Sequence, residues 1–300
     1  MSKYRLSDDD RRILLASRVL LSFSGGKDST ACALILEENE IPFDLVFLDT
    51  GFEHPAVLDY IKQEIEPRFG TVRVLKSERF PGGMIEAIER KGIFPSRRIR
   101  YCTDELKIKP WRKFLKSIDE PCVSVLGIRR EESKARAGAR RWGYDPKTDS
   151  DVFKPLVEFS FEDVVNIHKE KNMAPNPLYL QGVERVGCFP CIFARKSEIE
   201  LMGRIWPERV DQIADLERRL TLRRSKKEAG PVHPASFFGD RSSAVGAEDI
   251  KTVVEWSRTV RGGRQLALFN ESASSGCMRW GFCESPMADP SFVTVAEAQP

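Results

Sequence analysis

The run Ser24-Gly25-Gly26-Lys27-Asp28-Ser29-Thr30 carries the groups needed to hold a phosphate. Gly25 and Gly26 let backbone N–H groups approach an anion closely. Ser24, Ser29 and Thr30 can donate hydrogen bonds, with Ser22 just before them, and Lys27 supplies a full positive charge. The apolar run Val19–Phe23 precedes the loop and a helical pattern follows it, so a helix N-terminus adds its partial positive charge at the same place. The spacing is not the G-x-x-x-x-G-K-[ST] of a Walker A loop. Asp28 needs a magnesium ion or a helix N-terminus to sit beside phosphates, and N-capping is its plainer reading. A Gly-Gly turn before an ordinary helix is the plainer reading of the whole run.

Other chemistry-bearing residues fall at the ends of apolar runs. Asp49 closes Leu45–Leu48 and can accept from a ribose or an adenine; Glu53 and His54 follow at a helix entry. Gly127 and Arg129 close Val123–Ile128, and Arg136 lies one helical stretch further on. Arginines at a strand end can grip phosphate bidentately, whereas a solvated charged helix is the alternative. Cys188 and Cys191 form a C-x-x-C turn, a spacing that lets two thiolates reach one metal centre.

These residues need a frame. The first half alternates β-type runs (Val19–Phe23, Leu45–Leu48, Val72–Leu75, Val123–Ile128, Val152–Leu156) with helical patterns (Ser29–Glu38, Pro55–Glu66, Asp104–Lys116). That alternation predicts an α/β fold, a Rossmann-like doubly wound parallel sheet of about five strands. Ligands of such sheets sit beyond the carboxyl ends of the strands, where the motif residues fall. Beyond residue 158 the texture becomes helical (Phe161–Lys169, Glu208–Leu222, Asp249–Val260). We therefore expect a nucleotide-binding domain over 1–158 and a cysteine-bearing, mainly helical region over 159–300 that packs on the site.

With 300 residues, 41% hydrophobic, the chain can build a full core without disulfides. A net charge of +3 at 31% charged residues does not by itself argue for nucleic acid. No run of 18 apolar residues exists to span a membrane, and Met1–Arg12 has no signal-peptide pattern, so a cytoplasmic protein is expected. In that compartment seven cysteines point to metal, cluster or catalysis. Cys32 and Cys122 read as buried structural thiols.

The S-G-G-K-D-S loop after a strand resembles the PP-loop, or N-type ATP pyrophosphatase, superfamily. Arg100-Tyr101-Cys102-Thr103 with Leu106-Lys107 and Pro110 is similar to the R-x-C-[ST]-x-x-L-K-x-x-P of PAPS (3′-phosphoadenosine 5′-phosphosulphate) reductase-like proteins. The G-I-R-x-x-E-S-x-x-R pattern from Gly127 to Arg136 points the same way. Asn176-Pro177-Leu178-Tyr179 followed by Gly187-Cys188-Phe189-Pro190-Cys191 resembles the iron–sulphur branch, including the PP-loop component of DNA phosphorothioation systems. The resemblance implies ATP with Mg2+ as cofactor and Lys27, Asp28 and Ser29 as the catalytic group. It also implies a [4Fe–4S] cluster on Cys102, Cys188, Cys191 and Cys283, with Cys277 as substitute for the last; Zn2+ on the same ligands is the alternative.

One departure bears on the reaction. The tail around Cys277 and Cys283 lacks the E-C-G-x-H type of sequence that carries the reductases' catalytic cysteine. The intact loop favours ATP over a sulphonucleotide. The leading expectation is adenylation of a substrate with release of pyrophosphate, in the service of sulphur transfer to a nucleic acid or metabolite, with a sulphur-donor protein as partner. A PAPS or adenylyl-sulphate reductase is the first alternative. The second is a nucleic-acid-associated accessory factor of a mobile-element or CRISPR system, resting on the basic runs at 97–100, 129–141 and 218–227 and on Trp111, Trp142 and Trp206 near them. For those runs a solvated face is the plainer reading.

Overall fold

The computed structural model describes residues 4–226, 233–238, 249–260, 265–266 and 280. Six strands form one sheet in the order β3-β2-β1-β4-β6-β5. They are β1 (Arg18–Phe23), β2 (Asp44–Leu48), β3 (Arg73–Leu75), β4 (Cys122–Val125), β5 (Trp142–Asp145) and β6 (Ser150–Phe153). All neighbours run parallel except β5, which pairs antiparallel with β6 in a hairpin at the edge. The parallel strands are the five expected from the sequence. The sixth, β5, reads Trp-Gly-Tyr-Asp with no buried residue, so an edge position left no apolar run to detect it by.

Period-two alternation puts helices on both faces. Val19, Leu21 and Phe23 of β1 pack with Ala31, Leu34 and Ile35 of the helix Lys27–Glu38 and with Val164 and Ile167 of the helix Phe161–Glu170. Leu20 of β1 and Val46 of β2 face the other way, against Trp111 and Leu115 of the helix Lys109–Leu115. The strand order reverses between β1 and β4, so the crevice at their carboxyl ends is the topological switch point.

A second core lies beside the sheet. The helices Lys196–Ile205, Pro207–Ser225 and Ile250–Ser257 bury Ile199, Met202, Ile213, Leu216 and Val253 together with Phe52, Phe80, Met84 and Ile88 from the first half. The cores interleave along the chain, since Phe159, Met173 and Leu178 belong to the sheet's core. The helix Gly83–Lys91, which the sequence reading passed over, joins the second core to the loop after β2. Its Met84 N–H donates to the Thr50 carbonyl at 2.8 Å. Gly83 sits at φ +70°, and a Cβ there would lie 2.2 Å from that same carbonyl oxygen, so this approach requires glycine.

The basic run from Arg218 is a clamp between helices. Arg218 and Arg219 pair with Asp215, Arg219 also pairs with Glu89, and Arg223 donates to the Glu89 carbonyl. Arg224 reaches the Gly92 carbonyl at 3.3 Å. Among the described residues no helix is long and apolar enough to cross a membrane.

Glu217, 3% exposed, ties the later segments to this core. Its Oε1 accepts from Phe237 N at 2.7 Å and its Oε2 from Ile250 N at 2.8 Å. Burial pushes the carboxyl up to about 7, against those two donors. A raised carboxyl is protonated more readily in the folded chain. Its stabilising contribution is therefore complete below the unfolded value and fades as pH rises towards 7. Urea unfolding should show the fold losing on the order of 3 kcal/mol across that window. Glu217→Gln should flatten the profile; an unchanged slope in the variant would place the titration elsewhere.

Candidate functional site

The phosphate loop leaves β1 at Phe23 and turns directly into the helix Lys27–Glu38. Gly25 takes φ +72° with Val57 packed beneath it, where a Cβ would lie 2.6 Å from Val57 Cγ1. Gly26 is the N-cap and contributes no side-chain hydrogen bond, so no side chain of the cap residue masks the first amides. The hydroxyls of Ser24 and Ser29 lie 3.2 Å apart, and Ser29 Oγ donates to the Gly26 carbonyl at 2.9 Å. Thr30 is wholly buried and donates to the same carbonyl at 3.2 Å, so it serves the helix start.

The N-P-L-Y segment braces this loop from behind. Asn176 Nδ2 donates to the Gly25 carbonyl at 3.0 Å, and Lys27 N donates to Tyr179 Oη at 3.0 Å. The Lys27 ammonium stands 5.0 Å from the Tyr179 ring centre and donates to the Glu184 carbonyl at 3.3 Å. Through these contacts Tyr179 and Asn176 form the loop's scaffold, a role that their place in the N-P-L-Y motif does not reveal by itself.

Asp28 is neutralised by protein cations. Arg129 Nε donates to its Oδ1 at 2.6 Å, and Lys27 Nζ lies 3.4 Å from its Oδ2. Arg129 is 4% exposed and also approaches Glu131 at 3.3 Å. Arg136 pairs with Glu132, whose Oε2 also accepts from Arg129 N at 2.9 Å. Gly127 brings the two loops into contact, because a Cβ there would lie 2.8 Å from the Asp28 carbonyl carbon.

A cleft of about 350 Å³ opens in front of the loop. Ser22, Ser24, Gly26, Lys27, Asp28 and Ser29 line it from β1, and Gly127 and Arg136 from the β4 side. Cys188 and Cys191 close its far end beside Lys107, and Val183, Val186, Leu201 and Trp206 make one wall apolar. Arg129 lines a smaller neighbouring pocket of about 240 Å³ that shares Lys27 and Arg136. Asp49 does not line the cleft: its Oδ1 accepts from Gly51 N at 2.7 Å, and its Oδ2 pairs with Lys76 at 3.0 Å.

The cysteine turn is fastened to the loop after β2. Phe189 N donates to the Phe52 carbonyl at 2.7 Å, and Glu53 and Cys188 form an isolated antiparallel bridge. Thr50 Oγ1 donates to Glu53 Oε1 at 2.6 Å and lies 3.7 Å from Cys188 Sγ. Cys102, Cys188 and Cys191 pack against the same core and lie within electrostatic reach of one ammonium, that of Lys107. Cys188 holds Lys107 above its ordinary value against burial, with Glu53, Cys191 and Cys102 adding to it. Burial pushes the thiols of Cys102 and Cys188 up.

Three soft thiols around one ammonium, two of them lining the cleft, suit a thiophilic metal or cluster in donor type. In arrangement they fall short: among the described residues no group of three or more His, Cys, Asp or Glu closes far enough to hold a metal ion. Cys277 and Cys283 lie outside the described residues. Cys32 is buried in the core as expected; Cys122, expected to be buried too, is only partly so, because it stands at the open end of β4. His54 is a helix cap, its Nδ1 accepting from Ala56 N at 3.1 Å, and burial lowers its pKa.

Residues 18–194 match the phosphoadenosine phosphosulfate reductase domain. The chain belongs to this PAPS reductase domain family. Its nucleotide-binding α/β architecture is that of the PP-loop superfamily. A PAPS reductase from Candida auris, solved as a phosphate complex, superposes with a TM-score of 0.50 at 16% identity, over 62% of this chain and 90% of that one. An uncharacterized 37.8 kDa protein in the gpa 5′ region of Escherichia phage 186 is 32% identical over 92% of this chain and 99% of its own length. The adenosine 5′-phosphosulfate reductase of Allochromatium vinosum is 27% identical over 75% of this chain and 87% of its own. The PAPS reductase domain thus spans the nominated phosphate-loop and strand-end residues and Cys102, Cys188 and Cys191, but neither the tail cysteines nor Trp206. The basic helix from Arg218 and the rest of the second core's later helices fall beyond it.

Proposed function

We propose that the chain binds ATP with Mg2+ in this cleft and adenylates a substrate oxygen. The observation that carries the reading is the intact loop, whose cap residue Gly26 adds no side chain, opening into the same cleft as the Cys188/Cys191 turn. The substrate oxygen would form a bond to the α-phosphorus, the bond to the bridging oxygen would break, and pyrophosphate would leave. The attacking oxygen's proton passes to solvent. Ser24, Ser29 and the Gly26 region would hold the phosphates, and Lys27 and Arg136 would balance charge as it shifts to the leaving group. Val183, Val186 and Trp206 supply an apolar wall for the remainder of the substrate. ATP/pyrophosphate exchange tests this. Lys27→Ala should cut the exchange rate by about 100-fold or more; a wild-type protein that binds no ATP would remove the reading.

The cysteines carry the second half of the proposal, a [4Fe–4S] cluster or Zn2+ held at the far end of the cleft, with a sulphur-donor protein as partner. Such a group would supply or hold sulphur for a thiolation step. Anaerobic absorption spectra with iron, sulphide and zinc analysis decide between the two; a colourless protein free of all three sinks both.

A reductase acting on adenylyl sulphate or PAPS is the second reading, supported by the identity with the Allochromatium vinosum enzyme. Sulphite release from either nucleotide with thioredoxin as reductant would put it first.

A further inference from the structure

We infer that the loop bearing Arg97, Arg98 and Arg100 is a docking surface for a single-stranded nucleic acid at the cysteine end of the cleft. This loop differs from the chain's other arginine-rich stretches. The run from Arg218 is tied to Asp215, Glu89 and main-chain carbonyls, and Arg129 and Arg136 are paired with Asp28 and Glu132. Arg97, Arg98 and Arg100 are exposed, and none of them is ion-paired among the described residues. Arg97 and Arg100 lie over the Phe193 ring, 5.8 and 5.0 Å from its centre, and Arg100 also reaches the Thr103 hydroxyl at 3.4 Å. Ile99, 52% exposed, stands between the cations.

The loop is held in shape before anything binds. Ser96 Oγ accepts from Arg98 N at 3.3 Å and Ile99 N at 3.1 Å, and Ser96 N donates to the Ile99 carbonyl at 3.1 Å. Tyr101 Oη closes the base by donating to the Ile93 carbonyl at 2.6 Å. A presented loop loses little entropy on association. Three guanidinium forks suit phosphates, which they can grip two oxygens at a time. Ile99 between them offers an apolar contact, and the guanidinium planes held over the Phe193 ring can themselves stack on an unstacked base. Carboxylates of an acidic protein would satisfy the charge and leave the apolar contact unused.

Its place connects it to the site. Cys102 follows Arg100 by two residues, and Phe193 follows Cys191 by two, so one side of the surface leads to Cys102 and the other to the cysteine turn. The inference names the acceptor class for the proposed adenylation and rests on that reading only in this respect.

The test is fluorescence anisotropy of the full chain with fluorescein-labelled single-stranded DNA and RNA of mixed sequence, across a salt series. R97Q/R98Q/R100Q should weaken binding by about tenfold or more, and the log–log salt slope should shrink by about 2, three contacts at ~0.7 each. R5Q/R11Q/R12Q removes the same charge at the N-terminal end and should leave affinity in place. Circular dichroism confirms that each variant is folded. No binding by the wild type at low salt, equal weakening by both variants, or equally tight binding of polyglutamate would each overturn the inference. Whichever strand binds tighter, DNA or RNA, identifies the source. ATP affinity without any strand is read in parallel by equilibrium dialysis. Failure of the wild type to bind ATP would end the adenylation reading, while loop-dependent strand binding would still stand.

Discussion

Arg129→Ala should cost the protein both stability and nucleotide affinity. The Arg129 side chain is 5% exposed and Asp28's is 16%, so their 2.6 Å contact is largely screened from water. Lys27 and Arg129 together balance Asp28; without Arg129 only Lys27 is left to do so where phosphates would bind. Breaking a buried pair by removing one partner typically costs about 3–5 kcal/mol. For a chain of this size that corresponds to a melting point lower by about 10 °C. Nucleotide affinity should fall by about tenfold to 100-fold, because a phosphate would then meet an under-compensated carboxylate. Arg129→Lys keeps the charge but not the planar fork and should recover part of both losses. Differential scanning fluorimetry and calorimetric titration with ATP read the two effects separately. Native melting and native affinity in Arg129→Ala would show that Lys27 alone is enough for Asp28.

Gly127→Ala should nearly abolish nucleotide binding while leaving the fold standing. Its Cβ would lie 2.8 and 2.9 Å from the carbonyl carbon and oxygen of Asp28 and 3.0 Å from Ser29 N. These are backbone atoms at the start of a buried helix and cannot swing aside as a flexible side chain could. The loop after β4 must therefore move off the phosphate loop. A displacement on the order of 1 Å at a positioning contact can cost about 100-fold. Gly138→Ala is the comparison, since a Cβ there meets nothing within 4 Å. Equilibrium dialysis with ATP should separate the two variants by about that factor, and matching affinities would show that the loops tolerate separation.

The parts legible in the sequence are those made by neighbours in the chain. Val19–Phe23, the glycine turn and the helix after it are consecutive, so period-two burial, φ freedom and a helix start could all be read from one stretch. The Cys188/Cys191 turn is equally local. The helix Gly83–Lys91 left a signal that was available: Met84, Ala87 and Ile88 are buried at helical spacing behind a glycine pair. Edge strand β5 left none, because an edge buries too little to need an apolar run.

What stayed illegible is pairing across distance. Asp28 suggested a magnesium ion or a helix cap, yet its partner is Arg129, 101 residues later. Asp49 suggested a ribose contact, yet it holds its own turn and Lys76. The arginines at 97–100 and from 218 onward look alike in sequence, and only folding supplies carboxylates to one group and leaves the other exposed.

By itself, then, the sequence determined that a strand, a phosphate loop Ser24–Thr30 and a helix follow one another, because each depends on residues within a few positions. The tertiary structure decided which charges in that loop are already spent, and that Lys107 sits within electrostatic reach of three cysteines, two of which line the same cleft. Electrostatic balance is a sum over neighbours in space, and those neighbours are set by the packing of the whole chain.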